Sequence, residues 1–172
     1  TCRNSKVNVD VSDGFQQNKK IFLNDWSLMT EDLSKVCNFF NSGNFIEFIE
    51  NITNLNELIS DPYLIGGGLH KTERDGFLKM HTDFNWHDGL KLNRRINALY
   101  FLNSKYCRNW GGELHLSTSP KNQTKNEMKK IEPLFNRLVI FNTNDTTFHG
   151  YPDPINFPKN YERTSLAFYY YS

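Results

Sequence analysis

The spacing of apolar residues changes period near residue 62. Before that point Leu33, Val36, Cys37 and Phe40 recur at helical spacing, and Phe45, Phe48, Ile49 and Ile52 resume the stripe after the break at Ser42-Gly43-Asn44. Thr30 reads as an N-cap, with Glu31 and Asp32 suited to the positive end of a helix dipole. Leu55, Leu58 and Ile59 predict a further short helix, stopped by Asp61-Pro62. The N-terminal third therefore reads as helical.

Beyond residue 62 the signals are those of strands. Tyr63 to Ile65 leads into Gly66-Gly67-Gly68. Leu69 to Lys71 then approaches a turn at Glu73-Arg74-Asp75-Gly76, and Phe77 to His81 returns, which predicts a hairpin. Ile96 to Leu102 is a strongly apolar strand. Glu113 to Ser117 follows Gly111-Gly112, a pair that serves the backbone by allowing positive φ or a close approach. Thr118 to Lys130 is polar and reads as an exposed excursion. Arg137 to Phe141, Thr147 to Gly150 and Thr164 to Tyr171 complete the strands.

Many short strands after a helical start predict a mainly β fold, a double-sheet jelly roll braced by N-terminal helices. At 172 residues the chain fits one domain with one sizeable core. It shows no internal repeat or linker. The expected division is helical support over about 1–62 and a jelly-roll core over about 63–172.

Composition narrows the function classes. With 20 basic and 19 acidic residues the net charge is +1, and the densest basic clusters are no more than pairs such as Arg94-Arg95 and Lys129-Lys130. A nucleic-acid partner normally announces itself by a clustered basic footprint, so none is expected. Cys2, Cys37 and Cys107 form no C-x-x-C pair and read as reduced thiols, which predicts a soluble, cytoplasmic protein. No stretch reaches the length of a membrane span and no signal-peptide pattern opens the chain, which starts at Thr1. The sequons at Asn51, Asn122 and Asn144 read as accidents of an Asn-rich composition.

His81-Thr82-Asp83 carries the chemistry. Alternate residues of a strand share a face, so an imidazole and a carboxylate at i and i+2 can converge on one metal ion. His149 is the leading third ligand, with Gly150 letting the backbone bend away from the metal; His70, His87 and His115 are the other histidines available. Two imidazoles and one carboxylate on one face leave coordination positions open for a chelating co-substrate and dioxygen. A zinc hydrolase could use the same three ligands, but the chain has no H-E-x-x-H helix to supply its base.

Four motifs in order extend this pattern. They are Gly76-Phe77-Leu78-Lys79-Met80-His81-Thr82-Asp83-Phe84, Tyr100-Phe101-Leu102-Asn103, Gly111-Gly112-Glu113-Leu114, and a distal set of Phe141, Phe148-His149-Gly150 and Arg163-Thr164-Ser165-Leu166. From about Leu64 to the C-terminus the chain resembles the 2-oxoglutarate- and Fe(II)-dependent oxygenases of the prolyl-4-hydroxylase type. The resemblance implies a distorted double-stranded β-helix, with iron on His81, Asp83 and His149. Arg163 would grip the distal carboxylate of 2-oxoglutarate, where a guanidinium fork matches the anion and stays charged when buried. Ser165, on the same strand face, would add a hydrogen bond.

One position departs from the family pattern. Many members carry a tyrosine where this chain has Phe101, so another donor must complete the co-substrate pocket; His70 and Asn97 are the candidates. Trp86, Trp110 and Tyr151 are expected to flank the mouth and contact substrate. The resemblance implies C–H hydroxylation, with ascorbate as an accessory reductant. Asp83 favours hydroxylation over halogenation, because related halogenases carry a small residue there. A prolyl residue of a peptide or protein is the leading substrate. A free amino acid, a glycan or another small molecule is the alternative. A jelly-roll binding domain without turnover is the reading from outside the enzymes, and it would be expected to lack one of His81, Asp83, His149 and Arg163.

Overall fold

The computed structural model describes residues 17–119 and 128–172; Cys2, the Asn122 sequon and most of the polar excursion after Thr118 lie outside them. In chain order come β1 (Gln17–Leu23), α1 (Glu31–Phe40), α2 (Gly43–Thr53), β2 (Ile59–Ser60), β3 (Gly68–His81) and β4 (Trp86–His87). There follow β5 (Leu92–Phe101), β6 (Leu114–Ser117), β7 (Lys129–Ile131), β8 (Leu138–Asn142), β9 (Phe148–Tyr151) and β10 (Arg163–Tyr171). No helix among the described residues is long and apolar enough to cross a membrane.

Both helices start where their caps dictate. Thr30 Oγ1 accepts the Leu33 amide at 3.3 Å, and Ser42 Oγ accepts the Phe45 amide at 3.3 Å. Their apolar stripes bury Cys37, Phe40, Phe45 and Ile49 against one face of the sheet. Phe40 stacks on Phe168 of β10 with centroids 4.5 Å apart, and the Tyr170 hydroxyl donates to the Phe40 carbonyl at 2.7 Å. Burial of each such side chain is worth roughly 1.5–3 kcal/mol, so the helices stiffen the sheet from behind. The opposite face of β10 carries Arg163 and Ser165.

The third helix expected at Leu55–Ile59 does not form. Asn54 and Glu57 take left-handed backbone conformations (φ 56° and 59°), and the Glu50 carboxylate accepts the Leu58 amide at 2.8 Å. Ile59–Ser60 instead pairs as β2 with the end of β10. Of the three apolar residues Leu58 is buried, Leu55 half-buried and Ile59 exposed, so no helical stripe is formed.

The expected hairpin at Glu73–Gly76 is also absent. Residues 68–81 form one strand, because β1 runs antiparallel along both of its halves. The register passes from Asn18↔Phe77 to Lys20↔Thr72, so Glu73–Gly76 is a bulge beside Lys19 (φ 50°) and Asp75 (φ 66°). A Cβ on Gly76 would lie 2.5 Å from Thr72 Cγ2 and 2.8 Å from the Asn18 carbonyl, which is why glycine stands there. The N-terminal third is thus part strand.

β3 joins two layers. Its first half pairs with β10, which continues through β5 to β8, and its second half pairs with β9, which leads to β6 and β7. The antiparallel sheet curls on itself as a distorted jelly roll, mainly β with N-terminal helices, as expected. The loop after β9 is tied to the bulge by paired backbone hydrogen bonds between Asp75, Gly76 and Ile155.

Candidate metal centre and co-substrate cavity

His81 is the last residue of β3, and its register partner on β9 is His149. The strands lie so close that a Cβ on Gly150 would sit 2.6 Å from the Leu78 carbonyl and 2.7 Å from that of Lys79. Gly150 is therefore required by this close approach, not by a bend away from a metal. Asp83 follows just past the strand end. One ligand atom from each of His81, Asp83 and His149 falls within 4.8 Å of the other two, the only such cluster of His, Cys, Asp and Glu among the described residues.

Each side chain is held for this arrangement. His81 Nδ1 donates to the Lys79 carbonyl at 2.8 Å, which leaves the Nε2 lone pair toward Asp83 Oδ1, 3.6 Å away. His149 Nε2 lies 3.5 Å from Asp83 Oδ2. That oxygen also takes Arg94 Nη1 at 2.8 Å and Asn97 Nδ2 at 2.5 Å. Arg94 is fully buried, its guanidinium lying between the rings of Phe84 and Tyr169 at 3.7 Å from each centroid.

Electrostatics keep Asp83 and His149 ready as ligands. Burial alone would raise Asp83, but its close contact with His81, together with His149, Arg94 and Asn97, holds it well below the usual carboxylate range. Burial lowers His149 to about 4; Asp83 opposes this, and His81, Lys20 and Arg94 add to it. An ionised carboxylate beside a neutral imidazole is a donor set suited to a divalent ion.

The cavity runs from this cluster to Arg163. Arg163 is buried, donates from Nε to the Gly112 carbonyl at 2.8 Å, and lies over Tyr151 (4.1 Å) and Phe101 (5.1 Å). Gly112 has φ +81°, and a Cβ there would come within 3.2 Å of Arg163 Cδ. Arg163 Nη2 is buried and has no hydrogen-bond partner among the described residues. A buried guanidinium nitrogen without an acceptor fits an incoming carboxylate.

The other expected residues fall into three groups. His70, Asn97, Ser165 and Tyr151 line the same cavity. The polar hydrogen of His70 Nε2 goes to the Gly66 carbonyl at 3.1 Å, that of Asn97 to Asp83, and the Tyr151 hydroxyl bonds Thr72 Oγ1 at 2.7 Å. Trp86 is exposed on β4 and does not line the cavity. Trp110 packs against Phe157 and Tyr161 and is not part of the cavity wall. His87 is buried beside Asp61, and His115 lies on β6, both outside the cluster.

Two residues were missed. Arg94, noted only as part of a basic pair, pairs with Asp83 from the interior. Lys20 reaches the cavity from β1, and burial lowers its ammonium to about 8 despite the pull of Asp83. Neither had a sequence signal: a buried arginine and a half-buried lysine look like surface charges until the strands are paired.

A jelly roll that brings two histidines and an aspartate together beside a buried, unpaired arginine has the architecture of a metal- and 2-oxo-acid-dependent oxygenase. The chain belongs to the 2OG-Fe(II) oxygenase superfamily, whose sequence model matches residues 67–171. It is a 2-oxoglutarate-dependent dioxygenase, and the family's metal and co-substrate are Fe(II) and 2-oxoglutarate.

Solved structures agree on the fold. A prolyl-4-hydroxylase from Pseudomonas putida is 15% identical with a TM-score of 0.63, over 93% of this chain and 75% of that one. A prolyl 4-hydroxylase from Phytophthora capsici is 19% identical with a TM-score of 0.58, over 89% of this chain and 47% of that one.

Proposed function

We propose that His81, Asp83 and His149 hold ferrous iron, that Arg163 and Ser165 receive the distal carboxylate of 2-oxoglutarate, and that the substrate is a prolyl residue of a peptide or protein. The observation that carries this reading is the placement of the ligand cluster and the unpaired Arg163 Nη2 in one cavity. Bound iron with 2-oxoglutarate and dioxygen supplies the oxidising chemistry, in which 2-oxoglutarate becomes succinate and carbon dioxide while the substrate gains one oxygen atom.

The chain's own residues supply order. Arg94 and Asn97 engage Asp83 Oδ2 and so fix the carboxylate plane, leaving Oδ1 turned toward His81. The Lys79 carbonyl fixes the His81 tautomer. Gly112 and the faces of Phe101 and Tyr151 hold Arg163 in place. His70 and Asn97 line the wall on which the co-substrate lies.

A prolyl substrate is supported by the motif resemblance and by the names of the two structures sharing the fold. Phe84 and Trp86, 45% and 46% exposed and close after Asp83 in sequence, offer aromatic surface on which a prolyl ring of an extended peptide can pack. Residues 1–172 act as one catalytic domain. The free thiols of Cys37 and Cys107 suit a reducing compartment such as the cytoplasm.

The test is mass spectrometry on proline-containing peptides incubated with the protein, Fe(II), 2-oxoglutarate and ascorbate as accessory reductant. The expected result is one added oxygen on a prolyl residue, with matching succinate. Peptides left unmodified while free amino acids or other metabolites gain oxygen would contradict the substrate assignment.

A further inference from the structure

The cavity has a cation that the superfamily match does not cover. Lys20 lies on β1, outside residues 67–171, and lines the same cavity as Arg163. The strand registers put Lys20 opposite Thr72 and Thr72 opposite Arg163, a single rung across three strands. Directly opposed residues share a sheet face, and Thr72 marks that face as the inner one, since its hydroxyl meets Tyr151 from the opposing layer. Two strand spacings separate the α-carbons of Lys20 and Arg163 by roughly 10 Å, within the joint reach of two long side chains.

The pocket lacks a donor, and the expected substitutes are engaged. Phe101 offers a ring face to Arg163 where a tyrosine hydroxyl is usual in the family. His70 spends its Nε2 hydrogen on Gly66, and Asn97 spends an amide hydrogen on Asp83. Lys20 Nζ has three donors and makes no hydrogen bond or ion pair among the described residues. A second cation on the Arg163 rung, facing the same cavity, suits an anion with two oxygens to satisfy.

We propose that Lys20 is a second cationic ligand for the distal carboxylate of 2-oxoglutarate, completing with Arg163 the clamp that Phe101 leaves open. The inference rests on the co-substrate reading above. The backbone bulge at Lys19 is what makes it possible: φ 50° there interrupts the alternation of β1 and sets the register that turns Lys20 inward. The residue specifies a dicarboxylate over a 2-oxo acid with an uncharged tail.

The test compares 2-oxoglutarate with 2-oxopentanoate, which has the same length and no distal carboxylate, by calorimetric titration of the Mn(II)-loaded protein. Lys20→Met is expected to weaken 2-oxoglutarate binding by about ten- to a hundred-fold, the range for a hydrogen bond to a charged group, and to leave 2-oxopentanoate unchanged. Lys20→Arg is expected to restore most of the preference. Equal effects on both ligands, or none on either, would overturn the role of Lys20. Wild-type protein that does not bind 2-oxoglutarate would overturn the co-substrate reading itself, and the Lys20 assignment with it.

Discussion

His81 and His149 are register partners on adjacent antiparallel strands, with ring centroids 4.4 Å apart and each Nε2 turned toward Asp83. Two imidazoles this close cannot both carry charge cheaply in a buried site. The sheet therefore sets two imidazoles around one carboxylate before any metal arrives.

That pairing has a cost in acid. His149 is lowered from its ordinary 6.5 to about 4 by burial, and His70 is lowered well below 6.5, also chiefly by burial. Between those values the unfolded chain binds more protons than the folded one, so stability rises with pH. The contribution is complete above about pH 6.5 and is lost as pH falls toward about 4. Thermal melts of the metal-free protein across this window should show a falling midpoint, with a shallower fall for His70→Asn. A flat profile would contradict the buried neutral histidines.

Arg94 is the interior counter-charge of Asp83. Arg94→Met leaves that carboxylate buried without its cation and is expected to cost about 3–5 kcal/mol, read by chemical denaturation. Arg94→Lys should recover little, because a lysine cannot lie flat between Phe84 and Tyr169 while reaching Asp83. Full stability in Arg94→Lys would show that charge alone matters there.

Asn97 separates metal binding from folding. Its amide steadies Asp83, while its own Oδ1 is buried without a partner among the described residues. Asn97→Leu is expected to lower Mn(II) affinity about ten- to a hundred-fold, as loss of an outer-shell partner does, with little change in melting temperature. Unchanged affinity would remove Asn97 from the metal's support.

Arg163 can be tested without touching its charge. Gly112→Ala puts a methyl group 3.2 Å from Arg163 Cδ in a backbone conformation (φ +81°) that favours glycine. It should weaken 2-oxoglutarate binding in the same direction as Arg163→Leu, which is expected to lose about ten- to a hundred-fold. Wild-type affinity in Arg163→Leu would dismiss the arginine.

The sequence made the centre of the site legible because its residues sit in local motifs. His81 and Asp83 are two apart, and His149 and Arg163 each lie in a short recognisable string. What it hid depends on pairing between distant segments. Arg94 looked like half of a surface pair until β5 was packed against Asp83. Lys20 sits in Lys19-Lys20, ordinary exposed chemistry, and its inward turn comes from a bulge matched to Glu73–Gly76. The same unseen partnership made that segment look like a hairpin turn. At Leu55–Ile59 the apolar spacing fitted a helix, but a left-handed residue at each of Asn54 and Glu57 broke it.

If His81, Asp83 and His149 hold the iron of a 2-oxoglutarate oxygenase, turnover of the co-substrate depends on all three. The decisive measurement is succinate formation from 2-oxoglutarate with Fe(II) and without substrate. Wild-type protein is expected to form succinate slowly, and His81→Ala and Asp83→Ala to form none above the protein-free control. Wild-type rates of succinate formation in either variant would contradict the account.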